Sequence, residues 1–172
     1  MKKTLFALAA GAVVFGASAA DGTFAASNII GGVREYIYLS DIDRTLTKLP
    51  KERGAVQFVY NGAVVGAGTY GFLAAGTFSA GTISIPGQAG NSVAITVDVW
   101  DKASGATFDI ATATLSQTVT ITLGGAGSPP VTAAPLTGYT GGIMYTIYTP
   151  EPSTLALAAF GLGGLLFVIR RK

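Results

Sequence analysis

Short alternating runs of apolar and polar residues dominate the middle of the chain. Val93, Ile95, Val97 and Val99 fall on one face of an extended segment, and Ala94, Thr96, Asp98 and Trp100 on the other. The segment 118–123 repeats the pattern, with Val119, Ile121 and Leu123 turned inward. Ile143, Tyr145 and Ile147 form a last apolar face, and 81–85 is a half-buried strand stopped by Pro86-Gly87. The segment 55–60 reads as a strand ending in Asn61-Gly62, the strongest hairpin signal in the chain. A further strand is expected within 33–39. Turn residues cluster at 87–91, 101–105 and 124–130. Six to nine short strands with this spacing predict an all-β domain, an antiparallel β-sandwich whose strand order is open and compatible with a jelly roll. The segment 41–53 carries seven charges and no clear period, and reads as a solvated loop with room for a short helix.

The two ends depart from this pattern. Lys2 and Lys3 precede an uncharged apolar run from Thr4 to Phe15, and Ala17, Ser18, Ala19 and Ala20 supply small residues where signal peptidase cuts. Residues 1–20 therefore read as a signal peptide, with cleavage after Ala19 or Ala20. At the other end, 153–169 is 17 residues without a charge. As a helix it would span roughly 25 Å, a little short of the ~30 Å hydrocarbon core. Arg170, Arg171 and Lys172 follow, and their long side chains extend its reach by snorkelling. Their charge holds that end in the cytoplasm and leaves the chain before Pro150 outside the inner membrane. A buried amphipathic helix fits poorly, because Gly161, Gly163 and Gly164 stand where a polar face would be. The chain thus divides into a signal peptide (1–20), an exported β domain (21–149) and a sorting and anchor segment (150–172).

Pro150 and Pro152 lack backbone N–H groups and keep this stretch extended, and Pro152 disfavours helix at Glu151. The result is a stiff, single-carboxylate marker beside the apolar segment. Pro150-Glu151-Pro152, a glycine-containing apolar helix and a basic tail resemble the PEP-CTERM sorting signal of Gram-negative bacteria. The resemblance implies recognition of Pro150, Glu151 and Pro152 by an integral-membrane exosortase with a cysteine-based site, followed by processing of the tail. The segment 81–138 is also similar to uncharacterised exported domains found upstream of such tails, which look all-β.

Composition narrows what the domain can do. The net charge of +2 comes from the ends: 21–149 holds six basic and eight acidic residues, a net of −2. Nothing there provides the dense basic face that nucleic-acid binding needs. The chain has no cysteine and no histidine. Thiol catalysis, a Ser-His-Asp triad and the usual zinc ligands are thereby absent. Asp98, Asp101 and Asp109 are the nearest approach to a carboxylate cluster, of the kind a glycoside hydrolase uses, but a strand-face position and a turn cap explain Asp98 and Asp101 more simply. Asp41-Ile42-Asp43 offers oxygen ligands for calcium but is flanked by Arg44, Lys48, Lys51 and Arg53, so an exposed charged loop is the preferred reading. Gly124-Gly125-Ala126-Gly127 lacks the ending of a phosphate loop. Trp100 and the tyrosines, Tyr36 and Tyr38 among them, are candidates for stacking on sugar rings, against the alternative of core packing.

The expected protein is therefore an exported, non-catalytic surface or extracellular-matrix protein without cofactor or metal. It is held at first by one C-terminal helix in the inner membrane, processed by signal peptidase and exosortase, and delivered to the cell surface or matrix. A carbohydrate-binding module for extracellular polysaccharide, using Trp100, is the alternative. A hydrolase with paired aspartates ranks below it.

Overall fold

The computed structural model describes residues 20–40, 44–125 and 132–145. Residues 1–19 of the expected signal peptide, the triplet Pro150-Glu151-Pro152, the apolar segment 153–169 and the basic tail Arg170, Arg171 and Lys172 lie outside these residues. So does Asp41-Ile42-Asp43.

The described chain is mostly strand. In chain order it forms β1 (Gly22–Ser27), β2 (Ile29–Ile30), β3 (Val33–Arg34), β4 (Ile37–Ser40), β5 (Leu46–Lys48), β6 (Gly54–Tyr60), β7 (Ala63–Ala74), β8 (Thr77–Ile85) and β9 (Ser92–Asp101). A single 3-10 turn (Phe108–Ile110) precedes β10 (Thr114–Thr122), β11 (Ala134–Pro135) and β12 (Gly142–Tyr145). The principal sheet has seven strands in the order β10-β9-β6-β7-β8-β1-β11. Its pairs are antiparallel except for β1 with β11.

The all-β expectation holds, with a different arrangement of sheets. The large sheet curls like a barrel: Thr23 and Gly124 exchange backbone hydrogen bonds of 3.1 and 2.9 Å, joining β1 to the chain just past β10. Bridging opposite ends of the sheet in this way reduces the edge problem of an open sheet. A small sheet, β12-β4-β5, and the hairpin β2-β3 complete the fold.

The interior follows the sequence pattern where β-branched residues alternate. Val93, Ile95, Val97 and Val99 are buried on β9, opposite Val119 and Ile121 of β10 and beside Leu123. Aromatic rings fill the remaining space edge to face: Phe24 with Phe58 at 5.7 Å, Phe58 with Phe78 at 5.8 Å, and Phe78 with Tyr139 at 5.7 Å. That geometry places ring edges against ring faces, as the aromatic quadrupole favours. Asn61 (φ 49°) and Gly62 (φ 77°) are both left-handed, as a two-residue hairpin turn requires, and they join β6 to β7 where the sequence placed the turn.

Several expectations are revised. In β12 the buried residue is Met144, while Ile143 and Tyr145 face outward, so the apolar face read from the sequence is the outer one; Ile147 lies outside the described residues. The charged segment after Arg44 contains no helix in its described part. It holds β5, then Leu49, which is fully buried, and a turn closed by Arg53 and Gly54 N–H groups on the Pro50 carbonyl. The strand expected in 33–39 is broken at Glu35-Tyr36 into β3 and β4.

One buried polar residue ties the small sheets to the large one. Asn28 is fully buried. Its Nδ2 donates to the carbonyls of Glu35 (2.7 Å) and Gly76 (3.0 Å), and its Oδ1 accepts from the Phe78 N–H (2.8 Å). The side chain thus reinforces backbone bonds that link the same segments, from the Asn28 N–H to the Phe78 carbonyl and from the Glu35 N–H to the Asn28 carbonyl.

Candidate functional site

The carboxylates singled out from the sequence do not form one site. Alternation along β9 puts Asp98 and Trp100 on one face and Asp101 on the other. Asp98 is buried and accepts from Ser116 Oγ (2.6 Å) and Gln57 Nε2 (3.3 Å), which sit opposite it on β10 and β6. Asp101 is fully buried at the end of the strand. It takes a two-pronged ion pair from Arg53, with Nε at 3.0 Å from Oδ1 and Nη2 on Oδ2, and its Oδ1 also accepts the Ala103 N–H at 3.0 Å. Asp109 is exposed on the 3-10 turn. Each buried carboxylate is thus engaged in holding strands or a turn, and the two share no hydrogen-bond partner. Among the described residues no group of His, Cys, Asp or Glu could hold a metal ion.

Trp100 is 1% exposed, so its ring offers no open face. The chain after β9 folds back, and Phe108 meets the indole edge to face at 6.2 Å. Its Nε1 is buried without a hydrogen-bond partner. Strand alternation alone turned this residue outward; the covering loop is a tertiary feature that periodicity does not reveal.

Accessible aromatic surface lies elsewhere, on the small sheet. Tyr36 and Tyr38 meet edge to face at 6.2 Å. Lys48 Nζ stands 3.5 Å from the centre of the Tyr36 ring, a cation–π contact. Hydrogen bonding from Arg34, and then from Lys48, holds the Tyr36 hydroxyl below the ordinary tyrosine range. Tyr36 and Tyr38 are half-buried, Arg34 and Lys48 exposed. The sequence offered both tyrosines as candidates, but the pairing of β4 with β5 that brings Lys48 over the ring came from a segment read as a loop.

Comparison with protein-family models finds the PEP-CTERM protein-sorting motif at residues 149–172. The match takes in Pro150, Glu151 and Pro152, the apolar segment, and Arg170, Arg171 and Lys172. The chain thus carries a PEP-CTERM sorting signal at residues 149–172. The motif marks an exported protein addressed to an exosortase, and it begins four residues after the end of β12. No curated protein and no solved structure matches the chain. Among the described residues no helix is long and apolar enough to cross a membrane; the segment expected to do so lies outside them.

Proposed function

We propose that this protein is a non-enzymatic component of the cell surface or extracellular matrix, exported by its N-terminal signal, anchored by the helix 153–169 and freed by an exosortase acting at the Pro150-Glu151-Pro152 marker. The observation that carries the reading is the sorting motif at 149–172 directly behind an all-β domain. Arg170, Arg171 and Lys172 would hold the far end of the helix in the cytoplasm. The non-catalytic part is supported by the absence of histidine and cysteine and by the structural engagement of Asp98 and Asp101.

Intact-mass measurement of the mature chain from a bacterial host with and without its exosortase tests the reading. Loss of tail mass is expected only where the enzyme is present, and Glu151→Ala should leave the tail on. Identical mature termini in both hosts refute processing.

The carbohydrate-binding alternative loses Trp100, which is covered. Its remaining support is the Tyr36–Tyr38 pair beside Arg34 and Lys48. Affinity electrophoresis in acidic polysaccharide, with Tyr38→Ala as control, decides it: unretarded migration of the parent protein removes the alternative.

A further inference from the structure

The small sheet packs one face on the core; on the other, the two outer strands carry exposed side chains, while Ser40 of the central strand is buried and Tyr38 half-buried. Ile37 of β4 and Met144 of β12 are fully buried on the inner side. On the outer side, pairing registers set Tyr145, Ser40 and Leu46 in one row across the three strands and Ile143, Tyr38 and Lys48 in another. The flanking apolar residues are well exposed: Tyr145 by 67%, Leu46 by 49% and Ile143 by 37%. An exposed patch of neighbouring apolar side chains, rimmed by the cations Arg34 and Lys48, marks a contact surface.

The position of this face says what covers it. β12 is the last described strand, and the sorting motif begins at residue 149. Eight residue steps separate Tyr145 from Ser153, where the apolar segment starts, and fully extended they reach no more than about 28 Å. The β domain is therefore confined close to the bilayer, and the chain leaves it from the row that carries Tyr145 and Leu46. Tyrosines favour the headgroup layer, where a ring is half wet. Lysine and arginine are drawn to anionic headgroups.

We infer that the outer face of the small sheet, built by Tyr38, Leu46, Lys48, Ile143 and Tyr145, lies against the headgroups of the inner membrane while the tail is uncut. This rests on the anchoring proposed above. The contact is too small to hold a free domain, but the short tether keeps its effective concentration high. Exosortase cleavage removes the tether, so processing itself releases the domain from the lipid. Before cleavage the same contact holds Pro150-Glu151-Pro152 near the membrane plane, where an integral-membrane enzyme can reach it.

The absence of cysteine allows single labels. The full chain carrying Leu46→Cys, Tyr145→Cys or, for reference, Ile110→Cys is labelled with a polarity-sensitive fluorophore. It is then reconstituted into vesicles of phosphatidylethanolamine and phosphatidylglycerol containing headgroup-quencher lipid. Ile110 is 65% exposed on the 3-10 turn, outside the small sheet. Labels at 46 and 145 should emit to the blue of the label at 110 and be quenched several-fold more strongly. In dilute detergent all three should look alike, and Lys48→Glu should weaken the quenching. Equal, water-like emission at the three sites in vesicles overturns the proposal. So does a blue shift at 46 and 145 that persists in detergent, which indicates a second copy on this face, or one that appears only with added acidic polysaccharide. Alkaline extraction reports the anchor separately: a chain retained in the bilayer with wet labels refutes only the contact, and a chain that is extracted refutes the anchoring and the contact together.

Discussion

Replacing Asn28 tests whether a single buried amide holds the sheets together. Asn28→Ala removes a donor to the Glu35 and Gly76 carbonyls and an acceptor for the Phe78 N–H. The three losses are unequal. The Gly76 carbonyl keeps a second partner in the Ile37 N–H at 3.0 Å. The Phe78 N–H loses its acceptor inside the core and carries a desolvation penalty of about 1–3 kcal/mol. The Glu35 bond is partly buried and contributes about 1 kcal/mol, near the mean for a net hydrogen bond. The expected total is a loss of about 2–4 kcal/mol, a large share of the ~5–15 kcal/mol by which domains are stable. The assay is urea unfolding of the segment 21–149, followed by the emission of its only tryptophan, buried in the fold. The midpoint should fall while the slope stays fixed, since the surface exposed on unfolding hardly changes. Asn28→Leu separates bonding from packing: it fills the site without polar atoms and should be at least as damaging. If Asn28→Ala unfolds within experimental error of the parent, the amide does not bear this load and the reasoning is wrong.

The same accounting of polar groups applies to Tyr139, Asp101 and Tyr36. Tyr139 is buried, its hydroxyl has no hydrogen-bond partner, and burial raises its pKa well above the usual value; Tyr139→Phe should therefore be stabilising by about 1 kcal/mol in urea unfolding. Because the folded-state value is raised, the contribution of Tyr139 is complete below the ordinary tyrosine pKa of ~10 and is lost as pH climbs above it, so alkaline unfolding should be shallower in Tyr139→Phe. Asp101→Ala should cost about 2 kcal/mol, less than the figure for a fully buried ion pair, because the Arg53 side chain is 41% exposed; thermal melting checks it, and a neutral result refutes the bracing role. Tyr36 is held below the ordinary range by Arg34 and Lys48, so Arg34→Met should move its ionisation upward in an absorbance titration, and any added stability from the charged pair belongs to pH above the tyrosine range, not to neutral pH.

What could be read from the sequence depended on whether a signal was linear or tertiary. β9 and β10 were visible because β-branched residues alternate over a full strand and nothing interrupts them. β7 was not, although it is twelve residues long. Its residues are mostly glycine, alanine and valine and largely exposed, and the pairing with β6 jumps from Phe58↔Val65 to Val56↔Tyr70. Gly66 and Gly68, at φ 80° and 95°, are in the extruded segment between, which breaks the period of two. Leu49 was hidden by the charges around it. The inversion at β12 has a similar cause: Ile143 and Tyr145 look like core residues, and only the partner strand shows that Met144 takes that role. Trp100 followed its alternation to the outer face, but a loop covers that face. The sorting motif, by contrast, is a run of residues whose meaning needs no fold, so sequence and family comparison agree on it.

That division is physical. A sorting signal must be reachable by a membrane enzyme, so it has to lie outside the packed domain and near the lipid. β12 is the described element that precedes the motif in the chain. It is four residues long, sits at the edge of a three-stranded sheet and, among the described residues, pairs only with β4. Its hold on the domain rests on that ladder, on the burial of Met144 and on the packing of Gly142 against Leu115 of β10. Short edge elements of this kind open more readily than core strands, and opening β12 would lengthen the tether by about 14 Å. With the tail anchored as proposed, the packing of Met144 would set how far the domain can stand from the bilayer. On that proposal core packing and edge pairing bear on sorting through β4 and β12, the last described strand before the motif.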